Sequence, residues 1–257
     1  MMMKKIIRFL LSHVPRPWLI RISLVIMRFM DVFYRGNQVE CPVCDGRFRR
    51  FMSYGYNKIR ENALCPRCLS LERHRLLWLY LKNRTDFFHA HLKVLHIAPE
   101  QCFYKRFRRM KNLHYITADL ESPLAEVKLD VQSMPFSDQE FDIVICNHVL
   151  EHVPDDKSAI GEIFRVLKRG GIALLLVPTD YSMERTYEDF SITEPSDRER
   201  HFRQKDHYRL YGRDYMNRLT DKGFTIREEN YLFSLNEEDK NRFRLPVMEY
   251  MYGYYKP

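Results

Sequence analysis

The amino-acid sequence predicts an α/β fold in which a mostly parallel sheet is covered by helices on both faces. The chain has 257 residues, 45% of them apolar and 30% charged, a composition that supports a hydrophobic core. After residue 90, short apolar segments alternate with amphipathic helical ones. The segment 172–177, IALLLV, is apolar throughout, as expected of a strand buried on both faces. These observations exclude a disordered chain and a fibrous repeat.

Seven strands follow from this pattern, at 93–98, 114–118, 127–131, 141–146, 172–177, 224–228 and 247–254. Between them we expect a helix that opens at Pro99, an amphipathic helix at 155–168 that ends at Gly170 and Gly171, and a helix at 211–222. A further helix, 70–82, precedes the first strand and has Ser70 as its cap. Because ligands of parallel sheets bind beyond the carboxyl ends of the strands, the functional residues are expected there.

The positive charge of the chain is concentrated in its N-terminal third. The formal net charge is +8, and residues 1–82 hold 16 basic and 5 acidic side chains, whereas residues 83–257 hold 26 and 29. The basic character therefore belongs to the N-terminal third and needs an explanation there.

The N-terminal segment, 1–37, is expected to contain an amphipathic helix. Over 17–35 the polar residues lie on one narrow helical stripe, formed by Arg21, Arg28, Asp31 and Arg35. Arginines interrupt every apolar run, which disfavours both a membrane span and a secretory signal. The apolar face therefore packs on the protein's own core or on a partner, or the helix lies in the plane of an anionic membrane. We expect a cytoplasmic protein and leave open a peripheral contact with the inner face of the membrane.

Four cysteines have the spacing of a metal site. Cys41-Pro-Val-Cys44 and Cys65-Pro-Arg-Cys68 are separated by 20 residues, the pattern of a zinc ribbon. Each C-x2-C turn directs two thiolates to one side, and two such turns complete a tetrahedron around Zn²⁺. The alternative is four free or disulfide-bonded cysteines. We predict a small ribbon at 38–72 that binds zinc.

Between residues 127 and 178, several short motifs follow one another in order. They are Asp130, Met134-Pro135-Phe136, Phe141-Asp142, Leu150-Glu151-His152-Val153 and Leu167-Lys168-Arg169-Gly170-Gly171. In these motifs the sequence resembles class I S-adenosylmethionine-dependent methyltransferases of the methyltransferase type 11 kind, over roughly residues 90–257. The resemblance implies a Rossmann-like seven-stranded sheet in a domain at 73–257, S-adenosylmethionine as cofactor, and an insert around 180–209 that covers the acceptor.

The resemblance also assigns cofactor-binding roles by position. Asp119, at the end of the second predicted strand, would accept hydrogen bonds from the ribose hydroxyls. The carboxylate of Asp130 would accept from the adenine amine, while the backbone amide of Val131 meets a ring nitrogen. Asn147 follows the fourth predicted strand, close to the position expected for the methyl group. Each acid has an alternative role as a helix cap or turn former.

The first cofactor loop departs from the family pattern. The family has an acid followed by a glycine-rich turn, whereas residues 95–100 are Leu-His-Ile-Ala-Pro-Glu. Ala98 is small enough to permit close approach of the cofactor. We predict that Glu100 binds the methionine ammonium in place of the acid that is missing at His96. The alternative role for Glu100 is a first-turn acid that the helix dipole favours. The missing glycines leave a second alternative open, a degenerate domain that is not catalytic.

Methyl transfer requires that an acceptor be aligned with the sulfonium, and an oxygen or nitrogen acceptor also needs a base. His148 is the first candidate for this base and His207 the second, ahead of His152, His201 and Tyr208. The insert 180–209 holds 6 basic and 8 acidic residues, which disfavours a phosphate-binding surface there.

We therefore expect transfer to a small-molecule, sugar or lipid-linked glycan acceptor. One alternative is an RNA methyltransferase that uses the basic ribbon, with Arg47, Arg49 and Arg50, and the cluster at 105–111. The other is a non-catalytic binding or scaffold module.

Overall fold

The structure is a computed structural model that describes residues 29–55, 59–227 and 229–257. Its backbone contacts divide the chain into two compact units. The first holds the described residues up to 75 together with 237–246, and the second holds 76–236 and 247–257. The sequence predicts that residues 237–246 belong to the domain at 73–257, whereas the structure groups this segment with the N-terminal unit.

The N-terminal unit contains two antiparallel hairpins. Strand β1 (Arg35–Cys41) pairs with β2 (Gly46–Phe48), and β3 (Met52–Tyr54) pairs with β4 (Arg60–Leu64). One C-x2-C pair lies in the turn between β1 and β2, and the other follows β4 directly. Helix α1 (Glu72–Arg84) begins in this unit and continues into the second one.

A buried arginine attaches the segment 237–246 to this unit. Arg75 is fully buried and donates hydrogen bonds to the carbonyl oxygens of Ala63, Ser70, Phe243 and Arg244, at 2.6–2.9 Å. The accepting carbonyls of Phe243 and Arg244 follow nearly 170 positions later in the chain, at the end of the helix Glu237–Phe243. No local sequence pattern indicates a pairing over such a distance.

The second unit is built on one seven-stranded sheet. Its strands are β5 (Leu92–Ile97), β6 (Leu113–Asp119), β7 (Val127–Lys128), β8 (Phe141–Cys146), β9 (Leu167–Leu174), β12 (Thr225–Ile226) and β13 (Tyr254–Tyr255). The strand order is β12-β13-β9-β8-β5-β6-β7, and all pairings are parallel except those that β13 makes with β9 and β12. This sheet confirms the predicted Rossmann-like, mostly parallel α/β fold.

Helices and a small hairpin complete the second unit. The helices are α2 (Gln101–Phe107), α3 (Asp156–Val166), α4 (Pro195–Phe202), α5 (Tyr215–Thr220) and α6 (Tyr231–Ser234), and the helix of the N-terminal unit that follows is α7 (Glu237–Phe243). The hairpin pairs β10 (Tyr187–Glu188) with β11 (Arg209–Leu210), so it joins the two ends of the 180–209 insert. The core packs apolar side chains of the central strands against α3, including Ile160 and Ile163.

Several predicted boundaries were wrong. Helix α3 ends at Val166, before the two glycines, because Leu167 is already extended and starts β9. Strand β9 ends at Leu174 and not at residue 177. The predicted strands at 127–131, 224–228 and 247–254 are each only two residues long in the structure, because the outer strands of the sheet form few pairs with their neighbours. The helix expected to open at Pro99 starts at Gln101.

Most of the predicted N-terminal helix, residues 17–28, lies outside the described residues. Residues 29–33, where the description begins, are helical. Within the described residues, no helix combines the length and the apolar character that crossing a membrane requires.

Candidate active site

The carboxyl edge of the sheet has a topological switch between β5 and β8. From β5 the chain proceeds outward to β6 and β7, and then returns to β8 and proceeds outward on the other side to β9. The segments that leave β5 and β8 therefore diverge and open a crevice between them. The predicted residues Ala98 and Glu100 follow β5, and Asn147 and His148 follow β8.

A chain of hydrogen bonds crosses this switch point. Asn147 Nδ2 donates to Glu100 Oε1 at 3.0 Å, which joins the two diverging segments. The other carboxylate oxygen of Glu100, Oε2, bonds to His96 Nε2 at 2.5 Å. Asn147 is buried, and its Oδ1 accepts from the backbone amide of Leu176 at 3.3 Å. The structure thus brings together three of the predicted cofactor residues, His96, Glu100 and Asn147.

Tyr115 sets the tautomer of His96. The Tyr115 hydroxyl lies 2.8 Å from His96 Nδ1. Burial, together with the nearby charge of Glu100, raises the pKa of Tyr115, so the phenol keeps its proton. A phenol that donates to Nδ1 leaves the imidazole proton on Nε2, where it is donated to Glu100. His96 therefore orients the carboxylate and does not itself replace the acid of the family pattern. Sequence reasoning missed Tyr115, which gives no signal beyond a position in β6.

Glu100 occupies the N-cap position of α2, but its side chain makes no capping hydrogen bond. The carboxylate instead points to His96 and Asn147 at the switch point. This geometry disfavours the alternative in which Glu100 serves only the helix.

The glycine-free loop adopts a turn that normally favours glycine. Ala98 has φ of +50°, in the left-handed region, and its amide donates to the Ala118 carbonyl at 2.8 Å. An L-residue in this region costs roughly 1–2 kcal/mol, and alanine has the smallest side chain that pays it. The loop therefore keeps the close backbone turn without a glycine.

Asp119 ends β6 and forms the turn that follows. Its Oδ1 accepts from the amides of Glu121 and Ser122, at 2.8 and 2.6 Å. Within the described part of the chain, Oδ2 accepts no hydrogen bond, so one carboxylate oxygen is available for a ribose hydroxyl. The next side chain, Leu120, is 56% exposed and offers an apolar surface beside it. Sequence reasoning missed Leu120, whose signal is a large apolar residue directly after the acid.

Asp130 and Val131 lie in the loop after β7, outside any strand. The carboxylate of Asp130 is exposed and accepts from the amide and the side chain of Gln132, at 2.9–3.1 Å. Val131 is buried. These bonds orient the carboxylate, and Gln132 is a neighbour that the sequence did not single out.

His148 has strained backbone geometry next to the crevice. Its φ is +53°, and its amide donates to the Leu176 carbonyl at 2.7 Å. Nδ1 lies 3.3 Å from Glu151 Oε1, while Nε2 is buried and has no hydrogen-bond partner among the described residues. Left-handed backbone at a non-glycine residue is concentrated at functional sites, where the surrounding structure compensates for its cost.

His207 lies on the other side of the same glutamate. It is buried, and Nδ1 lies 3.1 Å from the Phe202 carbonyl oxygen, so Nδ1 carries the proton that is donated there. Burial lowers the pKa of His207, which keeps the ring neutral. The ring stacks edge-on against His152, with centroids 4.6 Å apart. The two predicted bases, His148 and His207, are thus brought around Glu151.

A second buried arginine attaches the insert to this region. Arg209 donates to the carbonyls of Leu150, Val153 and Pro154 at 2.6–2.8 Å, and to Glu188 at 3.0 Å. Its neighbour Asp156 is buried as well. The end of the insert is therefore fixed against the backbone of the Leu-Glu-His-Val motif. Sequence reasoning missed this role of Arg209.

The four paired cysteines converge on one point. Their sulfur atoms all lie within 4.8 Å of one another, with Cys41 to Cys68 at 3.6 Å and Cys44 to Cys65 at 3.7 Å. Tetrahedral coordination with Zn–S of about 2.3 Å requires S···S distances of about 3.8 Å. These two S···S distances therefore match those of a tetrahedral zinc site, and the remaining ones do not exceed 4.8 Å.

The ionisation of these thiols also fits a metal. Burial raises the pKa of Cys41, but hydrogen bonds from the other three thiols outweigh it and lower the pKa overall. For Cys65, burial and the same neighbours all raise the pKa. The pKa of Cys68 is also lowered, whereas that of Cys44 is raised, mainly by its hydrogen bond with Cys41. Ionisation of some thiols thus suppresses that of Cys44 and Cys65, and a cation is needed for all four to ionise.

Ser70 supports this cluster and does not cap α1 as predicted. Its hydroxyl lies 3.1 Å from Cys41 Sγ and 3.3 Å from Cys68 Sγ, and α1 starts two residues later. A hydroxyl in this position can donate to a thiolate ligand, the role of an outer hydrogen-bond partner at metal sites.

The family model described as "Methyltransferase domain" matches residues 86–175, about a third of the chain. Among curated proteins, sterol 24-C-methyltransferase of Schizosaccharomyces pombe is 39% identical over 61 residues, which is 24% of this chain and 16% of that protein. Demethylmenaquinone methyltransferase of Staphylococcus epidermidis is 43% identical over 60 residues, which is 23% of this chain and 24% of that protein.

Among solved structures, the YcgJ protein from Bacillus subtilis has a TM-score of 0.45 at 16% identity. The similarity covers 72% of this chain and 99% of that one. The curated relatives are matched over less than a third of their own length. The chain thus has, at residues 86–175, a match to the methyltransferase domain family within a seven-stranded Rossmann-like sheet.

Proposed function

We propose that the chain is an S-adenosylmethionine-dependent methyltransferase. The observation on which this depends most is the bond between Glu100 and Asn147 across the switch point, where ligands of such sheets bind. Glu100 would bind the methionine ammonium, held in place by His96 and Asn147. Asp119 would bind the ribose hydroxyls through Oδ2, and Asp130 with Val131 would bind the adenine. S-adenosylmethionine supplies a sulfonium-bound methyl group, so the residues need only orient an acceptor and accept its proton.

For the base we propose His148. Its Nδ1 faces Glu151 at 3.3 Å, and a carboxylate at that position would stabilise the imidazolium formed when Nε2 accepts the acceptor's proton. The acceptor we propose is a small molecule, a sugar or a lipid-linked glycan, since the insert attached by Arg209 carries mixed charge and exposed aromatic side chains such as Phe190.

Calorimetric titration with S-adenosylmethionine tests the cofactor site. Asp119→Asn, Asp130→Asn and Glu100→Gln should each weaken binding, because a hydrogen bond to a charged group contributes about 1.5–3 kcal/mol, or roughly 10- to 150-fold in affinity. Glu121→Gln changes a neighbouring carboxylate that receives no role, and it should leave affinity unchanged. No binding by the parent chain would favour the scaffold alternative.

Transfer of a labelled methyl group tests the acceptor. The proposal predicts label in polar small molecules or glycans, and loss of transfer in His148→Ala with cofactor affinity nearly unchanged. Label in RNA, together with steeply salt-dependent RNA binding that is lost when Arg47, Arg49 and Arg50 are neutralised, would establish the RNA alternative instead.

We further propose that Cys41, Cys44, Cys65 and Cys68 bind one structural Zn²⁺. The support is the donor set and the S···S distances. Elemental analysis of the purified chain tests it, and a folded preparation with four titratable thiols and no metal would contradict it. The membrane contact and the cytoplasmic location expected from residues 17–35 stay predictions.

A further inference from the structure

Three side chains beside the proposed base form a second cluster of metal-ligating groups, the Glu151 cluster, consisting of Glu151, His152 and His207. One ligand atom from each lies within 4.8 Å of the others. The first two residues belong to the short helical turn Leu150–His152, and the third comes from the end of the insert. The amide of Tyr208 donates to the Glu151 carbonyl at 2.9 Å, which fixes the insert strand to this turn.

The outer nitrogen of each histidine faces an acceptor oxygen. His152 Nδ1 lies 3.1 Å from Asp206 Oδ2, and His207 Nδ1 lies 3.1 Å from the Phe202 carbonyl oxygen. A proton on each Nδ1 leaves a lone pair on each Nε2. This arrangement, in which the outer nitrogen donates to a carboxylate or carbonyl, is the one that orients histidine ligands of metal ions.

Two inner atoms of the cluster have no hydrogen-bond partner among the described residues. His207 Nε2 and Glu151 Oε2 are buried and make no hydrogen bond among the described residues. His207 is 3% exposed and Glu151 is 1% exposed. A buried carboxylate oxygen and a buried imidazole lone pair are both acceptors, so neither can satisfy the other. A cation satisfies both at once.

We propose that Glu151, His152 and His207 bind one divalent first-row transition metal ion. Two imidazoles and one carboxylate suit zinc or iron better than magnesium or calcium, which prefer oxygen ligands. Coordination at about 2.0–2.1 Å would draw the ligand atoms to about 3.3 Å from one another, through small rotations of the half-exposed His152 side chain. Three protein ligands leave coordination positions open.

The Glu151 cluster lies beside the proposed base, because His148 Nδ1 lies 3.3 Å from Glu151 Oε1. A hydroxyl of the acceptor bound there would be both oriented and acidified by the ion. This part rests on the proposed function. Metal binding itself does not, and it is measured without S-adenosylmethionine or an acceptor.

The test is the metal content of the full chain after equilibration with Zn²⁺ and removal of free ion. The His152→Ala variant should hold one zinc fewer per chain than the parent. The matched control is His201→Ala, which changes an exposed histidine of the same insert and should keep the parent's content. Because only the difference counts, the result does not depend on the cysteine site. Equal zinc content in the parent and His152→Ala would overturn the proposal.

Cobalt distinguishes the two sites, and a milder variant guards against misfolding. Co²⁺ bound by nitrogen and oxygen should add weak visible bands without thiolate charge-transfer absorption, and these bands should be missing in His152→Ala. Asp206→Asn alters an exposed residue that contacts only the outer nitrogen of His152, and it should weaken Co²⁺ binding at this site about 10- to 100-fold. Unchanged affinity in Asp206→Asn would contradict the proposed orientation. If the parent chain binds the metal ion but not S-adenosylmethionine, the proposed function is refuted and the proposed metal site is not.

Discussion

Replacing Arg209 by methionine should destabilise the second unit strongly. The guanidinium is 1% exposed and donates to three carbonyls, those of Leu150, Val153 and Pro154, as well as to Glu188. Methionine keeps the apolar stem but removes every donor. The carbonyls of the buried Leu150 and Val153 lose their charged donor, whereas the exposed Pro154 carbonyl can bind water.

The magnitude follows from these partners. Two bonds to a buried charged donor contribute about 1.5–3 kcal/mol each, and removal of one member of a buried ion pair typically costs about 3–5 kcal/mol. Arg218 still neutralises Asp156 and Glu188, with contacts of 2.8–3.2 Å, so the hydrogen-bond and ion-pair costs are not added together. We expect a loss of about 3–5 kcal/mol, or a fall in Tm of roughly 6–20 °C for a domain of this size.

Urea denaturation followed by far-UV circular dichroism measures this loss. The matched control is Arg213→Met, because Arg213 is an exposed residue whose partner Glu184 is exposed too. That variant should change the unfolding free energy by less than about 0.5 kcal/mol. Arg209→Lys should fall between the two. An Arg209→Met protein within about 1 kcal/mol of the parent would refute the assignment of Arg209 as the residue that attaches the insert.

Three further predictions concern the metal cluster, the first loop and acid sensitivity. Cys65→Ser should hold one zinc fewer than the parent by elemental analysis and unfold the N-terminal unit, whereas Cys102→Ser should keep the parent's content; equal zinc content in Cys65→Ser and the parent would contradict the site. Ala98→Gly should be at least as stable as the parent and Ala98→Val about 1–3 kcal/mol less stable in thermal melts, because only glycine is unstrained at φ of +50°; equal stability of both variants would contradict this account. The hydrogen bonds from Arg165 hold the pKa of Glu162 below its usual value, so its stabilisation is present at neutral pH and is lost as pH falls below about 4.5. Glu162→Gln should therefore lower the denaturation midpoint more at pH 7 than at pH 4, and an equal loss at both would contradict the ion pair.

The sequence by itself determined the central strands and the cluster of four paired cysteines. The predicted strand 141–146 coincides with β8, and 93–98 differs from β5 by one residue at each end, because both segments are predominantly apolar, as strands buried on both faces are. Cys146, the last residue of the predicted strand 141–146, is fully buried in β8. The four paired cysteines were identifiable because their spacing is a local property of two turns.

Outer strands and helix ends were decided by tertiary structure. Strands β7, β12 and β13 are two residues long because they pair only where the neighbouring strand extends beside them, and local composition does not report that extent. The start of β9 at Leu167 follows from pairing with Phe141 in β8, which overrides the helical pattern up to the glycines.

The arrangement of the candidate site was likewise beyond the sequence. The order of residues indicated that Glu100 and Asn147 follow neighbouring strands, but only the structure shows that they bond, across 47 positions of chain. Arg75 and Arg209 look like surface residues in the sequence and become buried because distant backbone carbonyls surround them. A buried charge is stable only where such partners converge, and that convergence is a property of the folded chain.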